Sequence, residues 1–339
     1  MVQSPDISEE TLNKALHSWN NSLNLENFNK FETGRARTVF NLETSQGKEL
    51  ICYLCTKESV EERFKSEEKL LEILKQKTSI KVPEILHSDF SCQEIPYLFY
   101  IAEKIEGYTP DKRYKHLPKT QRKQILRQLG SSMAELHQEV KFEKSGRLKY
   151  NQGEIKIEGT TFQEFLEEWV EKWVEKMGEG RFSDLQTKCR NFFEKNKELI
   201  KEEDSSCVHF DMKPDNLIFK DGELEAILDW EKAISGPPEW DLQYSMVLMA
   251  YAEFQKESLA EEMSLELFKG YLNNRKLDDN WKKRLLYYNM IWSFKGMVDI
   301  EKIEAESQQK QMEETFREML KKRNNDLDEA VKQHHINEL

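Results

Sequence analysis

The chain has 339 residues, room for one large or two medium domains around a buried core. Its 51 basic and 63 acidic residues leave a net charge of −12, which argues against a nucleic-acid partner. No stretch approaches the ~20 apolar residues of a membrane span, the first residues lack a basic start and apolar core, and five scattered cysteines suit a reducing compartment, so a cytoplasmic protein with no membrane partner is expected.

A short entry helix within residues 1–26, capped by Ser8, comes first. Apolar alternation predicts strands at 28–32, 37–44 and 49–56. Thr33-Gly34-Arg35-Ala36 joins the first two and a Gln46-Gly47 turn the next two. Cys52 and Cys55 lie three apart in the third strand and point to opposite faces, against a metal or redox role. A helix at 60–76 carries Phe64, Leu70, Leu71 and Leu74 at helical spacing. Strands at 82–88 and 97–103 then complete a five-stranded small lobe, and Glu103-Lys104-Ile105-Glu106-Gly107 leads out of it.

Beyond Gly107 the chain reads as helical, with helices at 119–137, 162–177 and 182–200. The aromatic stripe of the second, including Phe162, Phe165, Trp169 and Trp173, is read as core rather than as a ligand box. Helices at 242–255, 264–271, 280–299 and 309–322 finish the chain, and the polar residues 324–339 are expected to fray. The pattern contains no internal repeat or low-complexity linker.

One stretch interrupts the helices. An apolar strand enters His209-Phe210-Asp211, Asn216 follows five residues after Asp211, and a second apolar run ends at Asp229-Trp230-Glu231. That order suits phosphoryl transfer, in which one carboxylate aligns an acceptor hydroxyl while an amide oxygen and a second carboxylate hold Mg²⁺ against nucleotide phosphates. A polar turn between two strands of a hairpin is the bland alternative.

These motifs resemble those of the aminoglycoside phosphotransferase and choline kinase group of small-molecule kinases, whose pattern is His-Gly-Asp-x4-Asn followed by an apolar-Asp-Trp/Phe-Glu/Asp segment. The resemblance implies an α+β, two-lobed protein-kinase-like fold. Its small lobe would be a five-stranded antiparallel sheet plus one helix at 1–106, and its large, mainly helical lobe would span 107–339. It implies ATP and Mg²⁺ as cofactors and a hydroxyl of a small molecule as acceptor. Asp211 would be the catalytic base, with Lys213 reaching toward the γ-phosphate, and Asn216 and Asp229 the metal ligands. His209 and Asp241 would support the loop, Asp241 by way of the later Gly236-Pro237-Pro238-Glu239-Trp240-Asp241-Leu242 segment. Gly34 and Arg35 would cover the nucleotide, Glu67, with Glu68 next, would be the helix glutamate that pairs with the strand lysine, and Glu103 and Ile105 would offer hinge backbone to the base.

One position departs from that pattern. The family's third strand carries a lysine that grips the phosphates, and Tyr53 stands in its place; Lys57, Arg35, Arg37 or Lys213 are the available substitutes. A binding module with little turnover is therefore the alternative function. A protein kinase is less consistent, because the twelve residues from Asp229 to Asp241 are too few for a peptide-docking loop. An acidic cleft would suit a cationic acceptor, although a solvated Lys/Glu-rich surface explains the same charge.

Overall fold

The computed structural model describes residues 7–31, 37–55, 61–109, 116–159, 161–200, 205–251, 257–303, 305–325 and 327–339. Helix α1 (Glu9–Trp19) begins at Ser8, whose side chain accepts the Thr11 N–H at 3.2 Å. Strands β1 (Leu25–Lys30), β2 (Thr38–Thr44) and β3 (Glu49–Cys55) follow, then helix α2 (Glu61–Lys77) and strands β4 (Ile85–Asp89) and β5 (Leu98–Glu103). The five strands form one antiparallel sheet in the order β1-β2-β3-β5-β4. One sheet face packs Phe40, Leu42, Leu50, Cys52 and Leu54 against Leu12, Ala15 and Leu16 of α1. The other packs Cys55, Tyr100 and Ala102 against Phe64 of α2. Burial on both faces is why β3 and β5 read as near-continuous apolar runs. Cys52 and Cys55 lie in different clusters, as alternation requires.

The chain leaves the small lobe through Gly107. Its φ is +139°, and a Cβ there would meet Phe219 O at 2.5 Å, so only glycine fits the close approach. Helix α3 (Lys119–Glu139) runs into the large lobe. Next comes a hairpin that the sequence pattern does not announce, β6 (Gly146–Asn151) and β7 (Glu154–Glu158). Its two-residue turn holds Gln152 and Gly153 at positive φ, the geometry that matches strand twist. The hairpin reaches the small lobe: the Tyr150 N–H donates to Ser66 Oγ of α2 at 2.8 Å.

Helices α4 (Phe162–Met177) and α5 (Gln186–Asn196) precede β8 (Ser206–Val208), the hairpin β9 (Leu217–Lys220) and β10 (Glu223–Ile227), and β11 (Ile234–Gly236). β11 lies between β6 and β8 in a second sheet of order β7-β6-β11-β8, so the large lobe is not purely helical. Helices α6 (Pro238–Tyr251), α7 (Glu257–Asn274), α8 (Trp281–Asp299), α9 (Glu306–Asn325) and α10 (Leu327–Gln333) complete it. α6 starts earlier than expected because Pro238 suits a first helical turn, where its missing N–H is no loss. The tail expected to fray does not: Ile336 is fully buried and Leu327 packs with it in the large core. Ala330, Val331 and Leu339 pack against the same core and help to dock it.

α3 and α7 cross with their backbones in contact. A Cβ on Gly130 would lie 2.0 Å from Leu267 O, and one on Gly270 would lie 2.0 Å from Arg127 O.

Candidate active site

β8 pairs antiparallel with β11, Val208 opposite Ile234, and delivers His209-Phe210-Asp211 at its end. Asp241, in the first turn of α6 and fully buried, clamps this loop. Its Oδ2 accepts the His209 N–H and its Oδ1 the Phe210 N–H, both at 3.0 Å, while His137 Nε2 lies 3.3 Å from Oδ2. Burial would push the Asp241 carboxyl up, but the hydrogen bond and charge of His137, with the charge and N–H of His209, hold it below the usual range. The His209 ring is fixed by two backbone partners. Asp211 N–H donates to its Nδ1 at 3.1 Å, and its Nε2–H donates to Leu228 O at 2.9 Å.

Phe210 occupies the family's glycine position and keeps a left-handed φ of +69°. A side chain there costs about 1–2 kcal/mol of backbone strain. Its ring sits among aromatic neighbours: it stacks parallel on Trp240 and Tyr244 at 5.9 and 6.0 Å, with Trp169 at 5.2 Å and Trp292 edge-on at 5.5 Å. The stripe on α4 is thus largely core, while Trp169 and Trp173 at its edge remain partly exposed beside this loop.

Asp211 is 2 % exposed and surrounded by donors. Its Oδ2 meets Lys232 Nζ at 2.7 Å, Lys213 Nζ at 3.3 Å and Asn216 Nδ2 at 3.4 Å, and its Oδ1 accepts the Tyr244 hydroxyl at 3.0 Å. Burial opposes ionisation, yet the hydrogen bond and charge of Lys232, followed by Lys213 and Tyr244, keep the carboxyl below its ordinary value. Of the two lysines, the closer is Lys232, which no sequence motif singles out; Lys213 stands farther off. Tyr244 likewise has no motif, though it lies three residues after Asp241 and therefore on the same side of α6.

Asn216 donates its amide to Asp211 O at 2.8 Å, and its backbone oxygen accepts the Leu228 N–H at 2.8 Å. The loop is thereby tied to the segment carrying Asp229, which has a left-handed φ of +65°. Arg37 approaches from the start of β2 and joins the small lobe to this segment. It pairs with Asp229 Oδ1 and donates from Nη1 to Glu67 Oε2 at 2.6 Å and to the Tyr100 hydroxyl at 3.1 Å. Its Nε lies 3.9 Å from Glu231 Oε2, and its guanidinium sits 4.9 Å from the Tyr53 ring centroid. Glu67 Oε1 also accepts the Trp230 N–H at 3.0 Å. Burial, only partly countered by Arg37, raises the Glu67 carboxyl above its usual value.

This donor set fits a hard divalent cation. One guanidinium faces three carboxylates, Glu67, Asp229 and Glu231, a set of oxygen ligands richer than a single cation side chain can pair. Glu231 Oε2 is buried with no hydrogen-bond partner among the described residues. Among the described residues no three His, Cys, Asp or Glu side chains form a closed metal cage. Mg²⁺ needs none, since it takes one or two carboxylates and keeps several waters.

The structure therefore brings Asp211, Lys213, Asn216, Asp229, Glu67, His209 and Asp241 into one region, linked by the contacts above. Glu103 ends β5, its N–H taken by Glu84 O at 2.9 Å and its side chain half exposed, with Ile105 two residues on. Gly34 and Arg35 lie outside the described residues, as does Lys57.

A profile of the phosphotransferase enzyme family matches residues 27–277. No curated protein matches the sequence. Solved structures share the fold at low identity. The apoenzyme of a macrolide 2'-phosphotransferase from Brachybacterium faecium is 15 % identical, covering 89 % of this chain and 96 % of its own, with a TM-score of 0.62. The streptomycin–ATP complex of aminoglycoside phosphotransferase APH(2")-IIa is 14 % identical over 87 % and 91 % of the two chains, TM-score 0.61. A GDP complex of aminoglycoside 2'-phosphotransferase-IIIa is 11 % identical over 97 % and 98 %, TM-score 0.63.

Proposed function

The chain belongs to the phosphotransferase enzyme family, and on that premise we infer that it moves the γ-phosphoryl group of ATP to a hydroxyl of a small molecule in a Mg²⁺-dependent reaction. What supports this reading is the tie of Asn216 to Asp211, and through Leu228 to the segment bearing Asp229, behind two loop clamps, Asp241 and the backbone-locked His209. Asp211 is ionised at neutral pH and positioned to orient the acceptor hydroxyl and take its proton. Lys232, Lys213 and Tyr244 hold that carboxylate in one orientation, which is worth more for rate than added basicity would be. Asn216 and Asp229 would hold Mg²⁺, which when bound supplies neutralisation of charge on the transferred phosphoryl oxygens.

A nucleotide is the expected donor in this fold; ATP and GDP occupy the two aminoglycoside phosphotransferases named above. For the acceptor, the partly exposed rings of Phe210, Trp169 and Trp292 beside Asp211 favour a molecule with an apolar or positively charged face next to its reactive hydroxyl. The binding-only alternative drew on Tyr53, and a cation beside Glu67 in the form of Arg37 weakens its basis.

The test is transfer of labelled phosphate from Mg-ATP to a panel of aminoglycosides, macrolides, amino alcohols and sugars. Asp211→Ala should reduce turnover by at least about 10²-fold while Mg-ATP still shifts the melting temperature. Full activity in that variant would refute the assignment of the base.

A further inference from the structure

The buried cation of this site comes from an unexpected strand. Where the resembled pattern has a lysine on the third strand, Tyr53 lies tilted against Tyr100 at 4.5 Å between ring centroids. Antiparallel pairing sets Val39 of β2 opposite Tyr53 of β3. Side chains alternate, so Arg37, two residues before Val39, lies on the face of Tyr53. From there its guanidinium reaches over the Tyr53 ring to Glu67 and Asp229.

We propose that Arg37 is the phosphate-binding cation of this enzyme, supplied from β2 because β3 carries Tyr53. This rests on the kinase reading above. A guanidinium suits the role because it stays charged when buried, and its planar fork can hold a carboxylate and a phosphate oxygen together. Arg37 has three acidic neighbours, so it can exchange Asp229 for phosphate oxygens while keeping Glu67. Tyr53 then has a defined role as the flat support on which the guanidinium lies.

The binding of Mg-ADP and of adenosine to the full chain, compared by calorimetry, tests the assignment. Arg37→Met should weaken Mg-ADP by at least about tenfold and leave adenosine within about twofold, because adenosine offers no phosphate. Adding Tyr53→Lys to that variant places an ammonium on β3 and should recover most of the lost Mg-ADP affinity. Arg37→Met/Glu67→Gln, which leaves no unpaired carboxylate at 67, provides the same comparison if the single variant does not fold. Unchanged Mg-ADP affinity, parallel loss of both ligands, or a folded Tyr53→Lys variant that stays weak would each overturn the proposal. A wild-type chain that binds neither ligand would overturn the kinase reading itself, and this assignment with it.

Discussion

Phe210 offers a test in which the usual order of two substitutions reverses. At φ +69° an L-residue is strained by about 1–2 kcal/mol, whereas glycine adopts the conformation freely. Against this, glycine's greater freedom in the unfolded chain costs roughly 0.4–1 kcal/mol relative to alanine. Truncation to Ala and truncation to Gly both remove the ring, so its lost packing against Trp240, Tyr244, Trp169 and Trp292 cancels in the comparison. The balance is that Phe210→Gly should be more stable than Phe210→Ala by about 1 kcal/mol, or about 2 °C in a chain of this size. Both should be less stable than the wild type. Lys172, exposed within α4, is the control, where Ala should exceed Gly by about 1 kcal/mol. Urea unfolding midpoints of the four variants are the assay. Phe210→Ala equal to or more stable than Phe210→Gly would refute the strain argument and with it the claim that the ring is retained against a backbone cost.

Two further outcomes follow from particular contacts. Because Lys232 helps hold the Asp211 carboxyl below its ordinary value, Lys232→Met should move the acid limb of the kcat/KM–pH profile upward. The same sign governs stability: the contribution of ionised Asp211 is present above about pH 4 and lost as pH falls through its lower folded value. An unmoved limb would show that Lys232 does not set that charge. Gly130→Ala, ordinarily helpful in a helix by about 1 kcal/mol, should instead destabilise by about 3 kcal/mol or more, since α3 and α7 would have to part. A midpoint at or above the wild-type value would rule out the close backbone crossing.

The small-lobe strands and the loop bearing Asp211 and Asn216 are legible in the sequence because their signals are local. Near-continuous apolar runs mark strands buried on both faces, and five residues of one loop hold the Asp211–Asn216 spacing. The β6–β7 hairpin is not legible because each charged strand offers only two alternating apolar residues, Leu148 and Tyr150 or Ile155 and Ile157, too short a run to stand out from a polar loop. Arg37 is one of several candidate substitutes for the missing lysine by sequence. Its partner Glu67 is 30 positions away and Asp229 is 192 away, and no local pattern reports such a pairing. Lys232 and Tyr244 carry no motif of their own; only the turn after Asp229 and the first turns of α6 aim them at Asp211.

The helix bearing Glu67 is fastened at two points to the opposite lobe, through the Trp230 N–H on one carboxylate oxygen and the Tyr150 N–H on the neighbouring Ser66. In protein kinases, regulation works through the placement of the corresponding helix. Here that dial is pinned in place by backbone donors that no phosphorylation or partner needs to supply. The position of this helix is thus written into the backbone of the large lobe itself.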